Sequence, residues 1–483
     1  MDLIFITLGR AAQFLVALVT LRVATTLLSP EEMGKIALVV TTTAFFALLL
    51  INPVGMFINR RLHAWQESGT ARFYLFHYAV YIATVASVAA VSLLIIGMSE
   101  LFEFDITAAW LMTLVCCSLI FNTINQTAIP SLNLLGNSRR FILLTVLTQL
   151  ASLMAATLMV WIFERSAQFW LIGLILGQGF FALVGVRDLF TQLATRSEKK
   201  TIPDTSQQHL SRLFSFSWPV AIAAGLGWVQ MQGYRYIMVE ELGLAEVGLF
   251  VAGYVLSAGI MAGFESILTT YFQPRLYRDS NTKDIDKRIQ AWRYYAAAVI
   301  PSLILTMAII VATAPELTIL FLGASFHSTS QFVVWGALAE AGRVLASVYA
   351  LIAHVQMRTL NLIIPNIAGA ALSLMLCQIL IPHIGAIGVG VALSVSGLVM
   401  VLLLHLTLIG MLGVGRSLQP LAAPLAGGAL LLMCGYGMRY MLGQQEWYAV
   451  ITNLIVTGIL FLALQFYFLR RYFANSNMIG TGK

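Results

Sequence analysis

Fourteen long apolar stretches, separated mostly by short polar connections, run the length of this chain. They cover roughly 5–28, 35–58, 73–97, 107–133, 140–163, 167–189, 213–239, 246–272, 293–314, 329–352, 360–381, 385–409, 418–440 and 447–469. A helix needs about 20 apolar residues to cross a bilayer, and each stretch is long enough. The expectation is an all-α polytopic membrane protein with 14 transmembrane helices. Composition agrees: 59% of the residues are hydrophobic and 10% charged, where a soluble domain carries about 45–50% and about 25%.

The 28 lysines and arginines orient the spans. With both termini on one side, that side collects Arg60, Arg61, Arg139, Arg140, Lys199, Lys200, Arg275, Lys283, Arg358, Arg416, Arg470 and Lys483. The other side holds Lys35, Arg165 and Arg439, and is otherwise acidic: Glu31, Glu32, Glu100, Glu103, Asp105, Glu240, Glu241, Glu246 and Glu316. Lys and Arg mark cytoplasmic loops, so both termini are expected in the cytoplasm. A net charge of +7 would suit nucleic acid if it clustered on a soluble face. Here it lies in loops between spans, and no nucleic-acid partner is expected. Asp2 is acidic, no basic region precedes the first apolar run, and no small-residue cleavage site follows it. The first span therefore reads as retained rather than as a signal peptide.

The arrangement around Arg22 recurs further on. Arg22 is followed by Pro30-Glu-Glu-Met-Gly34 and Asn59-Arg-Arg61, and Arg235 by Ala245-Glu-Val-Gly248 and Gln273-Pro-Arg275. Gly34 and Gly248, like Arg61 and Arg275, are 214 residues apart, and Arg22 to Arg235 is one out. Gly136-Asn-Ser-Arg139 and Val355-Gln-Met-Arg358 form a weaker echo. Internal repeats of this kind are a feature of secondary transporters, with the substrate site between the halves. The expected organisation is two pseudo-repeated six-helix lobes, 1–190 and 213–410, joined by a cytoplasmic linker at 191–212. Two appended helices and a cytoplasmic tail occupy 411–483.

No P-loop, HExxH or Gly-x-Ser-x-Gly motif is present. No enzyme activity and no cofactor are expected, and energy would come from an ion gradient, the membrane potential or the substrate gradient. Cys116, Cys117, Cys377 and Cys434 sit inside apolar spans without a CxxC pair. They read as buried thiols, with neither a disulfide framework nor a metal site.

A charge inside a membrane span is a functional candidate by default. Arg10 lies near a span end and can snorkel. Arg22 lies ~8 Å past the middle of its span at 1.5 Å per residue. Arg235 is in the outer half of the seventh span and Arg343 near mid-depth of the tenth. A guanidinium is a rigid fork that matches phosphate oxygens, so Arg22, Arg235 and Arg343 are candidate substrate-binding residues, with internal ion pairs as the structural alternative. Glu265 and Glu340 are the acids within spans, and are ion-coupling candidates. Glu340 sits one turn from Arg343 and can neutralise it, and Glu240 can reach Arg235 along one helix. Asn52 beside Pro53, Asn122 and Asn125 on one face of the fourth span, and Gln232 near Trp228 are further substrate-binding candidates. Amides and Trp suit sugars, and they equally serve hydrogen bonds between membrane helices. Pro53, Pro130, Pro219, Pro301 and Pro365 each admit a hinge or a static kink. The spacing of Gly173/Gly177 and Gly259/Gly263 is expected to serve close packing within the chain rather than dimerisation.

Leu8-Gly-Arg10, Leu27-Leu-Ser-Pro-Glu-Glu-Met-Gly34, Asn52-Pro-Val-Gly55 and Asn59-Arg-Arg61 resemble the opening of Wzx-type polysaccharide flippases. These belong to the multidrug/oligosaccharidyl-lipid/polysaccharide exporter (MOP) superfamily. Ala245-Glu-Val-Gly-Leu-Phe-Val-Ala-Gly-Tyr254 and Pro382-His-Ile-Gly-Ala-Ile-Gly388 resemble its second-half signatures. The resemblance spans the whole chain. It implies two six-helix lobes around a cationic cavity that opens alternately to each side of the bacterial cytoplasmic (inner) membrane. The implied substrate is an undecaprenyl-diphosphate-linked oligosaccharide, carried for O-antigen (lipopolysaccharide), capsule or exopolysaccharide synthesis. Arginines would hold the diphosphate and sugars while the lipid tail stays in the bilayer. A polysaccharide polymerase and other assembly proteins are the implied partners. Many relatives carry an acid just before the arginine of the seventh span, and here Tyr234 stands there. Two other classes remain open. A cation-coupled multidrug antiporter of the same superfamily more often has twelve spans and intramembrane acids. A membrane glycosyltransferase or ligase needs a catalytic base and usually a large outer loop, and the outer loops here are short.

Overall fold

The computed structural model describes residues 2–98, 108–195, 207–282, 284–356, 359–412, 421–443 and 447–480. All regular secondary structure among the described residues is helical. Among the described residues, fourteen helical spans are long and apolar enough to cross a membrane, the number read from the sequence. The topology markers Glu100, Glu103, Asp105, Lys199, Lys200, Lys283, Arg358, Arg416 and Lys483, and the middle of the 191–212 linker, lie outside the described residues. The chain forms two compact units, Met1–Gly248 and Leu249–Lys483.

Unit 1 contains α1 (Asp2–Leu27), α2 (Pro30–Phe46), α3 (Asn52–Glu67), α4 (Ala71–Met98), α5 (Ala108–Leu134), α6 (Ser138–Ile162), α7 (Ala167–Thr195), α8 (Gln207–Gln232), α9 (Tyr234–Leu242) and the start of α10 (Leu244–Asp279). The motif Ser29-Pro-Glu-Glu is a helix start. The Ser29 side chain accepts the Glu32 N–H, and Pro30 occupies the first helical position, where its missing N–H costs nothing. Glu32 also accepts the backbone N–H of Ala167 and pairs with Lys35 at 2.9 Å, so one carboxylate serves the starts of α2 and α7.

The second span is not one regular helix. Ahead of Pro53 the backbone widens into a π turn, Ala47–Ile51, because proline cannot supply the hydrogen bond the preceding turn needs. The Tyr81 hydroxyl on α4 donates to the Leu50 carbonyl at 2.8 Å. The bend is thereby tied to a neighbouring helix. The seventh span is likewise divided, at Gly233, into α8 and α9.

Glycines set the closest helix approaches. A Cβ on Gly173 would lie 2.3 Å from Ala156 Cα, and one on Gly177 would lie 2.4 Å from Ser152 Cα, so α7 rests directly on the α6 backbone. Gly259, by contrast, has nothing within 4 Å of the place a Cβ would take, and that part of the second GxxxG pair does not pack against a helix. Gly34 and Gly248, matched by the repeat, meet each other. A Cβ on Gly248 would lie 1.8 Å from the Pro30 carbonyl oxygen and 2.8 Å from the Gly34 nitrogen. One on Gly34 would lie 2.0 Å from the Leu244 oxygen.

Unit 2 continues α10 and adds α11 (Ile285–Ala312), α12 (Ala314–Phe321), α13 (Ser330–Val355), α14 (Ile363–Ile384), α15 (Ala386–Leu412), α16 (Ala422–Leu442) and α17 (Trp447–Gly480). Its core gathers Trp292, Tyr295, Tyr349, Met400 and Leu404 from α11, α13 and α15. The α16–α17 pair packs on α11 through Leu305, Ala308, Leu431 and Phe461.

Glu316 lies between the ninth and tenth spans, as the sequence pattern has it, and Arg439 near the end of the thirteenth, and both are buried, 5% and 9% exposed. Short α12 turns Glu316 inward to meet the last turn of α16. Arg439 Nε and Nη2 donate to the two Glu316 oxygens at 2.9 and 2.7 Å, and Nη2 also donates to the Ala312 carbonyl. Asn453 of α17 donates to Glu316 at 2.8 Å, and Thr457 donates to Asn453 at 3.0 Å. Buried charges persist when paired and hydrogen-bonded; here both Glu316 oxygens and the Arg439 Nε and Nη2 are engaged.

Candidate functional site

In unit 2, one guanidinium lies between two carboxylates. Arg343 Nε donates to Glu340 Oε2 at 2.7 Å, and Nη2 donates to Glu265 Oε2 at 2.7 Å. The first pair follows from the helix, since residues three apart share a face. The second joins α13 to α10 and bridges 78 residues of sequence. The Tyr254 hydroxyl donates to Glu340 Oε1, so both oxygens of that buried carboxylate are engaged. Glu265 Oε1 has no hydrogen-bond partner among the described residues. With both acids ionised the cluster carries one net negative charge. Beside it lies a cavity of about 370 Å³, whose lining includes Glu265, Gln273, Tyr295, Ser347 and His354.

Unit 1 holds the other candidates. Arg235 is 6% exposed, and its guanidinium faces α2. Nη1 donates to Thr41 Oγ1 at 2.6 Å and to the Ala37 carbonyl at 3.4 Å, and Nε donates to the Tyr234 hydroxyl. The Trp228 indole donates to the Thr41 carbonyl at 3.0 Å, and the Thr42 and Tyr236 hydroxyls lie 2.8 Å apart. Together these tie α8 and α9 to α2. Glu240 is exposed and forms no ion pair with Arg235. The Thr41–Thr43 run that receives Arg235 and Trp228 is absent from the sequence-based candidates, although three consecutive hydroxyls in an apolar span are a visible signal.

Arg22 is half-buried on α1, and its carbonyl accepts the Thr26 hydroxyl at 2.7 Å. Asn52 opens α3 and is exposed. Asn122 accepts from Gln126 at 3.1 Å, and Asn125 donates to the Gln178 carbonyl of α7 at 2.8 Å. Gln232 is half-buried at the end of α8. The structure thus brings Arg343, Glu340 and Glu265 together, and Asn125 and Trp228 act as links between helices. All four cysteines are free thiols. Among the described residues, no three His, Cys, Asp or Glu side chains are grouped to hold a metal ion.

Three comparisons with known proteins bear on this arrangement. The model of a family described as polysaccharide biosynthesis protein matches residues 23–331. No curated protein sequence matches the chain. Among solved structures, the chain is similar to an inward-facing multidrug resistance MATE family transporter of the MOP superfamily. The TM-score is 0.62 at 14% identity, over 85% of this chain and 100% of that one. It is also similar to the lipid II flippase MurJ in an inward closed conformation, with a TM-score of 0.59 at 12% identity, over 97% and 99% of the two chains. At such identities the likeness is one of fold. The family match covers most of the chain, and on that ground the chain belongs to the polysaccharide biosynthesis protein family, with the fold of the MOP superfamily.

Proposed function

We propose that this protein is a flippase. It moves an undecaprenyl-diphosphate-linked oligosaccharide across the bacterial inner membrane by alternating access, supplying O-antigen, capsule or exopolysaccharide synthesis. The observation that carries the reading is the family match over residues 23–331 on a chain with fourteen apolar spans. The fold supports it, since one fold relative is a lipid II flippase. Both termini lie in the cytoplasm in this reading, and a polysaccharide polymerase and other assembly proteins receive the product.

The physical task is to carry a charged diphosphate and polar sugars past hydrocarbon while the lipid tail stays in the bilayer. Arg22 suits the diphosphate contact, because a half-buried guanidinium in an apolar helix offers a bidentate fork. Arg235 acts through packing by holding α9 on α2. Arg343 is balanced by two carboxylates, and the site suits ion coupling through Glu265 or Glu340.

The test is surface glycan in a strain lacking its own flippase, normalised to membrane protein level. The wild-type chain should restore glycan, Arg22→Lys should retain part, and Arg22→Ala should abolish it. Wild-type export by well-expressed Arg22→Ala would remove Arg22 from the site, and failure of the wild-type chain to restore any glycan would overturn the flippase reading. The net negative cluster at Arg343 and the MATE-like fold favour a second reading, cation-coupled export of multidrug-type cations. Raised resistance to cationic dyes without glycan export would support it.

A further inference from the structure

We propose that the unit 2 cavity is a subsite for one sugar ring of the transported glycan. The inference rests on the flippase reading and adds a place and a chemistry to it. The cavity of about 370 Å³ lies within the ~300–1,000 Å³ range of small-molecule pockets. It is far roomier than the close oxygen cage a bare cation requires.

Its polar groups are of both kinds. Glu265 Oε1 is an acceptor without a partner among the described residues, because Arg343 takes Oε2 alone. Tyr295 is 4% exposed, lines the cavity, and its hydroxyl makes no hydrogen bond among the described residues. Gln273 brings an amide, with donors and an acceptor, and reaches only the Tyr277 hydroxyl at 3.4 Å. Ser347 donates to the Arg343 carbonyl and keeps its lone pairs for a ligand.

A ligand that uses every polar group of this lining donates to the Glu265 carboxylate and accepts from the Tyr295 O–H and the Gln273 N–H. An ammonium can donate to Glu265 and to the Tyr295 oxygen but leaves those donors unused, and a fully ionised phosphate has no donor for Glu265 and meets its charge. A sugar hydroxyl both donates and accepts. Tyr277 and Tyr295 both line the cavity, and such amphipathic side chains suit a pyranose, which carries apolar faces and polar edges. The guanidinium between Glu340 and Glu265 holds the Glu265 carboxylate in position while leaving one oxygen to the cavity.

The test uses the full-length protein in nanodiscs. The probes are methyl glycosides of glucose, N-acetylglucosamine and rhamnose, with tetraethylammonium and methyl phosphate as counter-probes, read by saturation-transfer NMR. At least one glycoside should bind, and the counter-probes should not compete with it. Tyr295→Phe removes one hydroxyl and should weaken that binding about two- to tenfold, the range of one neutral hydrogen bond. Ser347→Trp places a ring at an exposed lining position and should abolish it. No binding by any glycoside, binding unchanged in both variants, or competition by tetraethylammonium would each overturn the subsite. The complementation assay separates the two ideas. If the wild-type chain restores surface glycan and Ser347→Trp, at equal membrane level, restores it equally, the subsite fails and the flippase reading stands.

Discussion

Adding a single methyl group at Gly248 tests how the two ends of the repeat are joined. The Cβ of Gly248→Ala would lie 1.8 Å from the Pro30 carbonyl oxygen, where ordinary contact begins at 3.4 Å. The shortfall is about 1.6 Å, and the obstacle is backbone, so no rotamer change relieves it. The starts of α2 and α10 must move apart. Overpacking of this kind costs about 1–3 kcal/mol, occasionally more, against a gain of up to about 1 kcal/mol in helix propensity from Gly to Ala. The expected net loss is about 1–2 kcal/mol. Gly259→Ala, on the same helix with open space around it, brings the propensity term alone and should be neutral or stabilising. Thermal unfolding in one detergent reports both, with exposure of the buried Cys377 thiol as the signal. The expected order of melting temperatures is Gly248→Ala below wild type, and Gly259→Ala at or above it. Gly34→Ala should behave like Gly248→Ala. The double variant should lose less than the sum, because helices already parted accept the second methyl. Equal shifts at Gly248 and Gly259 would refute the contact.

Arg439→Met strands a buried carboxylate and should cost about 3–5 kcal/mol, whereas Glu316→Leu with Arg439→Met should recover most of the loss, both read in the same melting assay. Glu265→Gln or Glu340→Gln should remove the dependence of transport on a proton or sodium gradient; gradient dependence intact in both variants would sink intramembrane coupling. A cysteine at exposed Glu67 should react with a membrane-impermeant maleimide only from the cytoplasm, and one at exposed Glu164 only from outside; the reverse pattern would overturn the orientation.

What the sequence reveals and what it hides divide along physical lines. The span count is legible because hydropathy over about 20 residues is a local property, and so is the Glu340–Arg343 pair, three residues apart on one helix. Glu265 as the second partner is not legible, because helix periodicity says nothing about which faces of α10 and α13 meet. Arg235 shows the same limit. Its own helix offers Glu240, but tertiary packing supplies Thr41 and the Ala37 carbonyl on α2. The burial of Glu316 and Arg439 as a pair is not legible either, because charges near the ends of apolar runs read as solvated and their meeting depends on packing of distant helices. Gly34 and Gly248 stand out as repeat partners, and their contact with each other requires the fold.

The Glu316–Arg439 pair also has a history in time. Arg439 is synthesised 123 residues after Glu316, about 6–25 s later at ordinary translation rates. Through that interval the carboxylate on short α12, between the spans Ile285–Ala312 and Ala324–Val355, is present without its cation. The appended helices are therefore the elements that satisfy this carboxylate, α16 through Arg439 and α17 through Asn453. A chain halted before α16 holds the Glu316 carboxylate without the guanidinium that pairs with it here.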